Sequence, residues 1–422
     1  MDFVVKSYDE LFKDKLTQAE QSDYLLSLIV DPSTYSPSGE YELSLCRFYL
    51  KQSINFEITE LYAKALFRVA GVFYHYKLFD ECEVLLNSLN NIVDANNFEE
   101  IKKASYHLNG ILSIEKGKYD RALEYLQKSK PVILSSGNTL RISTLHNSFG
   151  VVYYYLGNLQ ESLNSYLLCL EYSDESKLSL QYCIVHINIS NIYIQYSQLD
   201  EAQVYTEKAL SIAIKMQNPT LIAMAKMKTA SILAMKSEFE NGLLLLNEAI
   251  KSFEEFGPYI DLVHSYNLKA DIERNLDLPL EALSTLNKSL EIVPKLNNVR
   301  MEGDIMRIIA WVFLDKLKDY KAALRYIQRY YEINATTEFK ENWLQAHYMY
   351  AVYYHKSNER KKALQMIHTV LEDTDINQWL SYKLAFLELK LLVGLFSSEQ
   401  DKVLVENEIQ YLQEQNVTTT SF

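Results

Sequence analysis

Glycine and proline are scarce, at 11 and 7 of 422 residues, which excludes collagen-like and low-complexity chains and suits long packed helices. Cysteine is scarcer still. The four, Cys46, Cys82, Cys169 and Cys183, form no CxxC pair, so a disulfide scaffold or zinc ribbon is excluded, and free thiols suit a reducing, cytoplasmic location. No apolar run approaches 18 residues, so no membrane span is expected. The opening MDFVVKSYDELFKDKL carries acidic residues within its first ten positions and lacks a signal-peptide core. Basic charge is in deficit: 42 Lys and Arg against 55 Asp and Glu leave a net charge of −13, which argues against a nucleic-acid surface and would favour a basic partner. Phosphate loops of the GxxxxGK[ST] type, GxGxxG turns and HExxH pairs are all missing. The eight histidines are scattered. His347 and His355, eight apart, are too far separated for a one-face metal pair, and they read as partly buried ring donors. Glu99-Glu100 and Glu254-Glu255 read as solvated faces near helix ends. No enzyme activity, cofactor or metal is expected.

What the chain has is a period. Ala70, Gly110, Gly150, Ser190, Ala230, Ala270 and Ala310 follow one another at intervals of 40, and Ala351 comes after 41. A second column of small residues runs Cys82, Ala122, Ser162, Ala202, Gly242, Ala282, Ala323, Ala363, and one extra residue between Ala310 and Ala323 explains the slip. A third column, Leu89, Ser129, Cys169, Ala209, Ala249, Ser289, keeps the interval before lapsing at Tyr330 and Val370. Self-similarity at such a period signals stacked supersecondary units, each touching only its neighbours, so one elongated array can take the whole length. Of the 32 tyrosines, many fall between helices, where the ring packs and the hydroxyl stays at the edge.

The spacing Tyr153-x3-Gly157-x-Leu159-x2-Ser162, and the copy before it with Asn109-Gly110, Gly117-Lys118-Tyr119, Ala122 and Leu126, resembles the tetratricopeptide repeat (TPR). In that family the small residues let paired helices approach closely. The resemblance implies an all-α fold: a right-handed superhelical solenoid of about eight helix-turn-helix repeats with capping helices. The usual period is about 34, so each helix here gains most of a turn, a form similar to bacterial regulatory and signalling TPR proteins.

Residues 1–62 are expected to form a helical capping region. Ser7-x-x-Glu10 and Thr17-x-x-Glu20 have the capping-box form, DPSTYSPSG over 31–39 reads as a loop, and a helix is expected over about 40–53. Leu16-Thr17-Gln18-Ala19-Glu20 resembles the opening of a DNA-binding helix-turn-helix, but the tight turn and basic second helix that should follow are missing. Eight repeats then occupy 63–377. Asn218-Pro219 and Gly257-Pro258 mark turns between them, Pro294 is placed to end a second helix, Pro279 to begin one, and Pro131 to kink or end its helix early. Residues 378–415 read as a closing helix pair with a polar outer face, and 416–422 as a tail.

Function must then lie in a surface. The resemblance implies a concave groove lined by first helices at positions five, six, nine, twelve and thirteen, counting the first small residue as eight. Those positions bring Asn147, Ser148, Tyr154 and Tyr155 from copy three, Asn188, Asn191 and Gln195 from copy four, Lys228 and Ser231 from copy five, and Asn267, Asp271 and Arg274 from copy six. Asn and Gln can pair with both N–H and C=O of an extended peptide, and Tyr154 and Tyr155 can supply side-chain pockets. The same amides could instead bond within the array. The two-carboxylate clamp of chaperone-tail adaptors is incomplete: Asn188 and Lys228 fill two of its places, but Asn147, Val151 and Met224 stand where Lys, Asn and Lys are expected. The expectation is a non-catalytic, regulatory protein that holds a peptide or protein segment. Alternatives are the ligand-sensing input region of a bacterial regulator, or a scaffold that self-assembles through apolar residues such as Leu391, Leu392 and Leu395.

Overall fold

The computed structural model describes residues 17–28, 40–54, 59–173, 180–196, 198–296, 299–334 and 340–414. The Ser7 capping box, the 31–39 loop and the 416–422 tail lie outside them. Regular structure among the described residues is helical throughout, and the chain divides into two units, one ending at Ile192 and the other starting at Tyr193.

In the first unit, α1 (Gln18–Leu28) and α2 (Glu40–Ser53) precede three antiparallel pairs. These are α3 (Thr59–His75) with α4 (Phe79–Asn96), α5 (Glu99–Glu115) with α6 (Tyr119–Ser135), and α7 (Thr139–Tyr155) with α8 (Leu159–Glu171). Helix α9 (Leu180–Gln195) runs across the division. The second unit continues with α10 (Leu199–Lys215) and then pairs α11 (Pro219–Met235) with α12 (Phe239–Phe256) and α13 (Tyr259–Asn275) with α14 (Pro279–Leu296). Next come α15 (Val299–Trp311) with α16 (Tyr320–Asn334), α17 (Lys340–Lys356) with α18 (Arg360–Leu371), and a closing pair, α19 (Leu380–Val393) with α20 (Glu399–Glu414). Within each unit a helix packs chiefly on its sequence neighbours, as a linear array requires.

Local chemistry sets the helix ends. Thr17 and Glu20 form the reciprocal box: Thr17 N donates to Glu20 Oε2 at 2.8 Å and Glu20 N to Thr17 Oγ1 at 3.4 Å. Asn138 and Asn218 cap α7 and α11 by accepting from the amides of Arg141 and Leu221. The turn inside six of the pairs carries one left-handed residue two positions past the first helix. Gly117 and Gly157 supply it cheaply, whereas Lys77, Ser237, Asp277 and Asn358 adopt φ of 60–63° without glycine's freedom. Pro279 does open α14. Pro131 does not end α6, which continues to Ser135, because Ser129 and Ile133 on either side of it are buried and hold the last turn in place. Pro294 likewise sits two residues inside the end of α14.

The three small-residue columns are the contact lines. Cys82 Sγ lies 3.3 Å from the carbonyl oxygen of Ala70, and Ser162 Oγ donates to that of Gly150 at 2.7 Å. A methyl group on Gly150 would fall 2.5 Å from the ring of Tyr166, and one on Gly242 would fall 3.1 Å from the carbonyl oxygen of Ala230. The extra residue between Ala310 and Ala323 is absorbed as a π-helical turn over Val312–Leu317, which keeps Ala323 on its column, fully buried.

Candidate functional site: the first-helix faces

In the first unit the groove positions are amide- and aromatic-rich. Asn147 is half-buried, and its Oδ1 is buried without a hydrogen-bond partner. His107, one repeat earlier, leaves Nε2 in the same condition; burial, reinforced by the charge of Arg141, pushes its pKa down to about 4. Tyr155 stacks on Tyr119 with centroids 4.5 Å apart and stays 42% exposed, while Tyr154 meets Tyr155 edge-on at 5.7 Å. Asn188 is occupied internally by a side-chain hydrogen bond with the hydroxyl of Tyr166, the ring that fills the notch at Gly150. Asn191, one turn on, is half-buried.

In the second unit the positions are charged. Gln195 is exposed. Lys228 is half-buried, and desolvation lowers its pKa against the opposing charge of Asp261. Asn267 is 7% exposed and accepts from Ser289 Oγ of α14 at 3.1 Å, so its amide is committed within the array. Arg274 reaches Asp271 and Asp315, each at 3.5 Å, and its Nε has no partner. Asp315 also takes Lys356 at 2.9 Å, which links α13 and α17 through the π-helical turn.

Sequence counting over copies three to six missed Arg307, Trp311, Asp315, His355 and Lys356. The fifth, ninth, twelfth and thirteenth positions of copies seven and eight hold all five by the same rule. Of the scaffold residues, Leu392 is 69% exposed, whereas Leu391 and Leu395 pack on the core. Among the described residues no group of three or more His, Cys, Asp or Glu is placed to hold a metal ion, and no helix is long and apolar enough to cross a membrane. A shallow depression lined by Glu83, Asn109, Lys116 and Arg121 has its lysines paired, with Lys116 and Lys118 on Glu83 at 2.9 and 3.1 Å.

Paired helices on a 40-residue period, crossing at buried small residues, make this chain a TPR-like helical-repeat protein. Its relatives are distant, and no family model matches it. A TPR repeat-containing protein of Methanocaldococcus jannaschii is 21% identical over 367 residues, 82% of this chain; the chain spans 58% of that relative's length. Aspartyl phosphate phosphatase F from Bacillus subtilis has the same fold with TM-score 0.54 and 16% identity, over 90% of this chain and 96% of that one. The Rap conjugation gene regulator of plasmid pLS20, solved in complex with the Phr* peptide, aligns with TM-score 0.55 and 13% identity, over 84% and 97%. At these identities the likeness establishes the fold.

Proposed function

We propose that this chain is a non-catalytic regulatory protein that holds a peptide or protein segment against its first-helix faces. One observation carries the reading. Among the described residues six buried side-chain atoms lack a hydrogen-bond partner, and five of them, on His107, Asn147, Arg274, Trp311 and His355, occupy the fifth, ninth or twelfth groove positions. Buried polar atoms are normally satisfied, so orphans concentrated on one face fit a surface completed by a ligand. The peptide complex of the pLS20 regulator supports the same class of partner. Thiol chemistry argues for the non-catalytic part: burial pushes Cys46 and Cys82 up to about 12 and Cys183 to about 11, leaving them protonated near neutrality.

The test is a pull-down from native cell extract with wild-type protein beside an Asn147→Ala/Asn191→Ala/Lys228→Ala variant, with helix content checked by circular dichroism. Loss of a partner from the variant alone supports the reading; equal retention contradicts it. A second reading, self-association, draws on Leu392, Leu404 and Tyr411, which are 69%, 67% and 59% exposed on the closing pair. It predicts a concentration-dependent mass in sedimentation, abolished by Leu404→Glu.

A further inference from the structure

The second unit contains a local imbalance of hydrogen-bonding capacity. Arg307 and Trp311 lie one turn apart on the same face of α15, at the fifth and ninth groove positions. Among the described residues no hydrogen bond or ion pair reaches the Arg307 guanidinium. Burial disfavours its charge, and Asp271 and Asp304 act on it only through theirs. Trp311 is 5% exposed, and its indole Nε1–H is unpartnered, as is Nε of Arg274 on α13.

Most acceptors around them are taken; Asp304, one turn before Arg307 on α15, is the exception among the described residues. Asp315 receives Arg274 and Lys356, and Asp271 receives Arg274. The hydroxyl of Tyr330 donates to Gln345 Oε1 at 2.8 Å; Gln345 donates to the Tyr382 hydroxyl at 2.9 Å, which donates in turn to Glu341 at 3.2 Å. Donors are therefore left over: the half-buried guanidinium of Arg307, and the buried N–H groups of Arg274 Nε and Trp311 Nε1. An occupant that completes this set brings acceptors and a negative charge. A planar carboxylate matches the guanidinium fork, and arginine is the side chain that holds one in two-point contact.

Resting on the groove reading above, we propose that the α13–α15–α17 face is a carboxylate subsite. In it Arg307 takes an acidic side chain of a bound peptide, with the free N–H groups of Trp311 and Arg274 as flanking donors. A side chain fits better than a chain terminus because first helices continue on both sides of the subsite within this unit, α11 before it and α19 after, so a bound segment runs through. This subsite is separate from the incomplete adaptor clamp at Asn188 and Lys228.

The test uses the full-length protein and an array of N-acetylated, C-terminally amidated random dodecapeptides. Each acidic peptide is matched by its Asp→Asn and Glu→Gln version and by a neutral version with a free C-terminus. Peptides bound by wild type are expected to weaken about tenfold when the side-chain carboxylate becomes an amide. Arg307→Gln is expected to bind acidic and amide versions alike. Equal wild-type binding of the matched versions overturns the subsite and leaves the groove reading intact, whereas no peptide bound at all overturns both. Dependence on a free C-terminus alone overturns the side-chain assignment. A second measurement needs no ligand: Arg307→Met should raise the melting temperature, because it removes a half-buried charge without a direct partner. A lowered melting temperature would show that the fold already satisfies the guanidinium, and would overturn the proposal.

Discussion

The two units are built on one frame and filled with different chemistry. In the first, the groove positions hold Asn147, Tyr154, Tyr155 and Asn191 with a neutral His107, and the interactions are ring stacking and amide bonding. In the second, the corresponding positions hold Lys228, Asp271, Arg274 and Arg307; Arg274 pairs with Asp271, and Arg274 and Lys356 converge on Asp315. The small-residue columns are alike in both: Ala70 and Cys82 in one, and Ala230 and Ala363 in the other, are all fully buried. Residues at helix crossings are set by packing and repeat every 40 positions. Residues facing the groove are free of that constraint, and they are where the units diverge.

Breaking the frame should cost more than altering the face. Gly150→Leu would drive a side chain into the Tyr166 ring, which is itself held by Asn188; a loss of about 3 kcal/mol is expected, read as a lower urea midpoint. The next effect depends on pH and belongs to the first unit. His107 titrates near 4 in the folded chain against an ordinary 6.5, so the folded state favours the neutral ring. Its contribution is present in full above pH 6.5 and is lost as pH falls toward 4, amounting to roughly 3 kcal/mol. His107→Leu should flatten the urea midpoint between pH 7 and 4; an unchanged slope would contradict the assignment. In the second unit, Asn267→Ala leaves the buried Ser289 hydroxyl without its acceptor, for a loss of about 2 kcal/mol in the same assay. Smallest is a gain. An added methyl on Gly71, within α3, meets nothing within 4 Å, so Gly71→Ala should stabilise by about 0.5–1 kcal/mol.

The frame was legible in the sequence because packing leaves a periodic record. The Ala310-to-Ala323 slip even marked the π-helical turn, since one inserted residue in a helix must either rotate every later side chain off its face or be taken up locally. The groove was legible only in part. Asn188 and Asn267 have the residue type of a peptide reader, yet each is bonded to a second-helix side chain, Tyr166 or Ser289, and no spacing rule separates that use from ligand contact. Arg307 and Trp311 obey the same count as Arg274 but stand in copy seven, past the copies to which it was applied. Pro131 does not end its helix early, since the buried Ser129 and Ile133 flank it, and local backbone preference alone does not carry that packing.

Site-specific photocrosslinking tests the central claim, that the first-helix face is the binding surface, most directly. Benzoylphenylalanine placed at Asn191 or Ser231, on first helices, is compared with the same group at Val84 or Leu244, second-helix positions 63% and 64% exposed. Adducts with the captured partner from Asn191 and Ser231 alone are the predicted result. Adducts from Val84 and Leu244, with none from the first-helix positions, would contradict it.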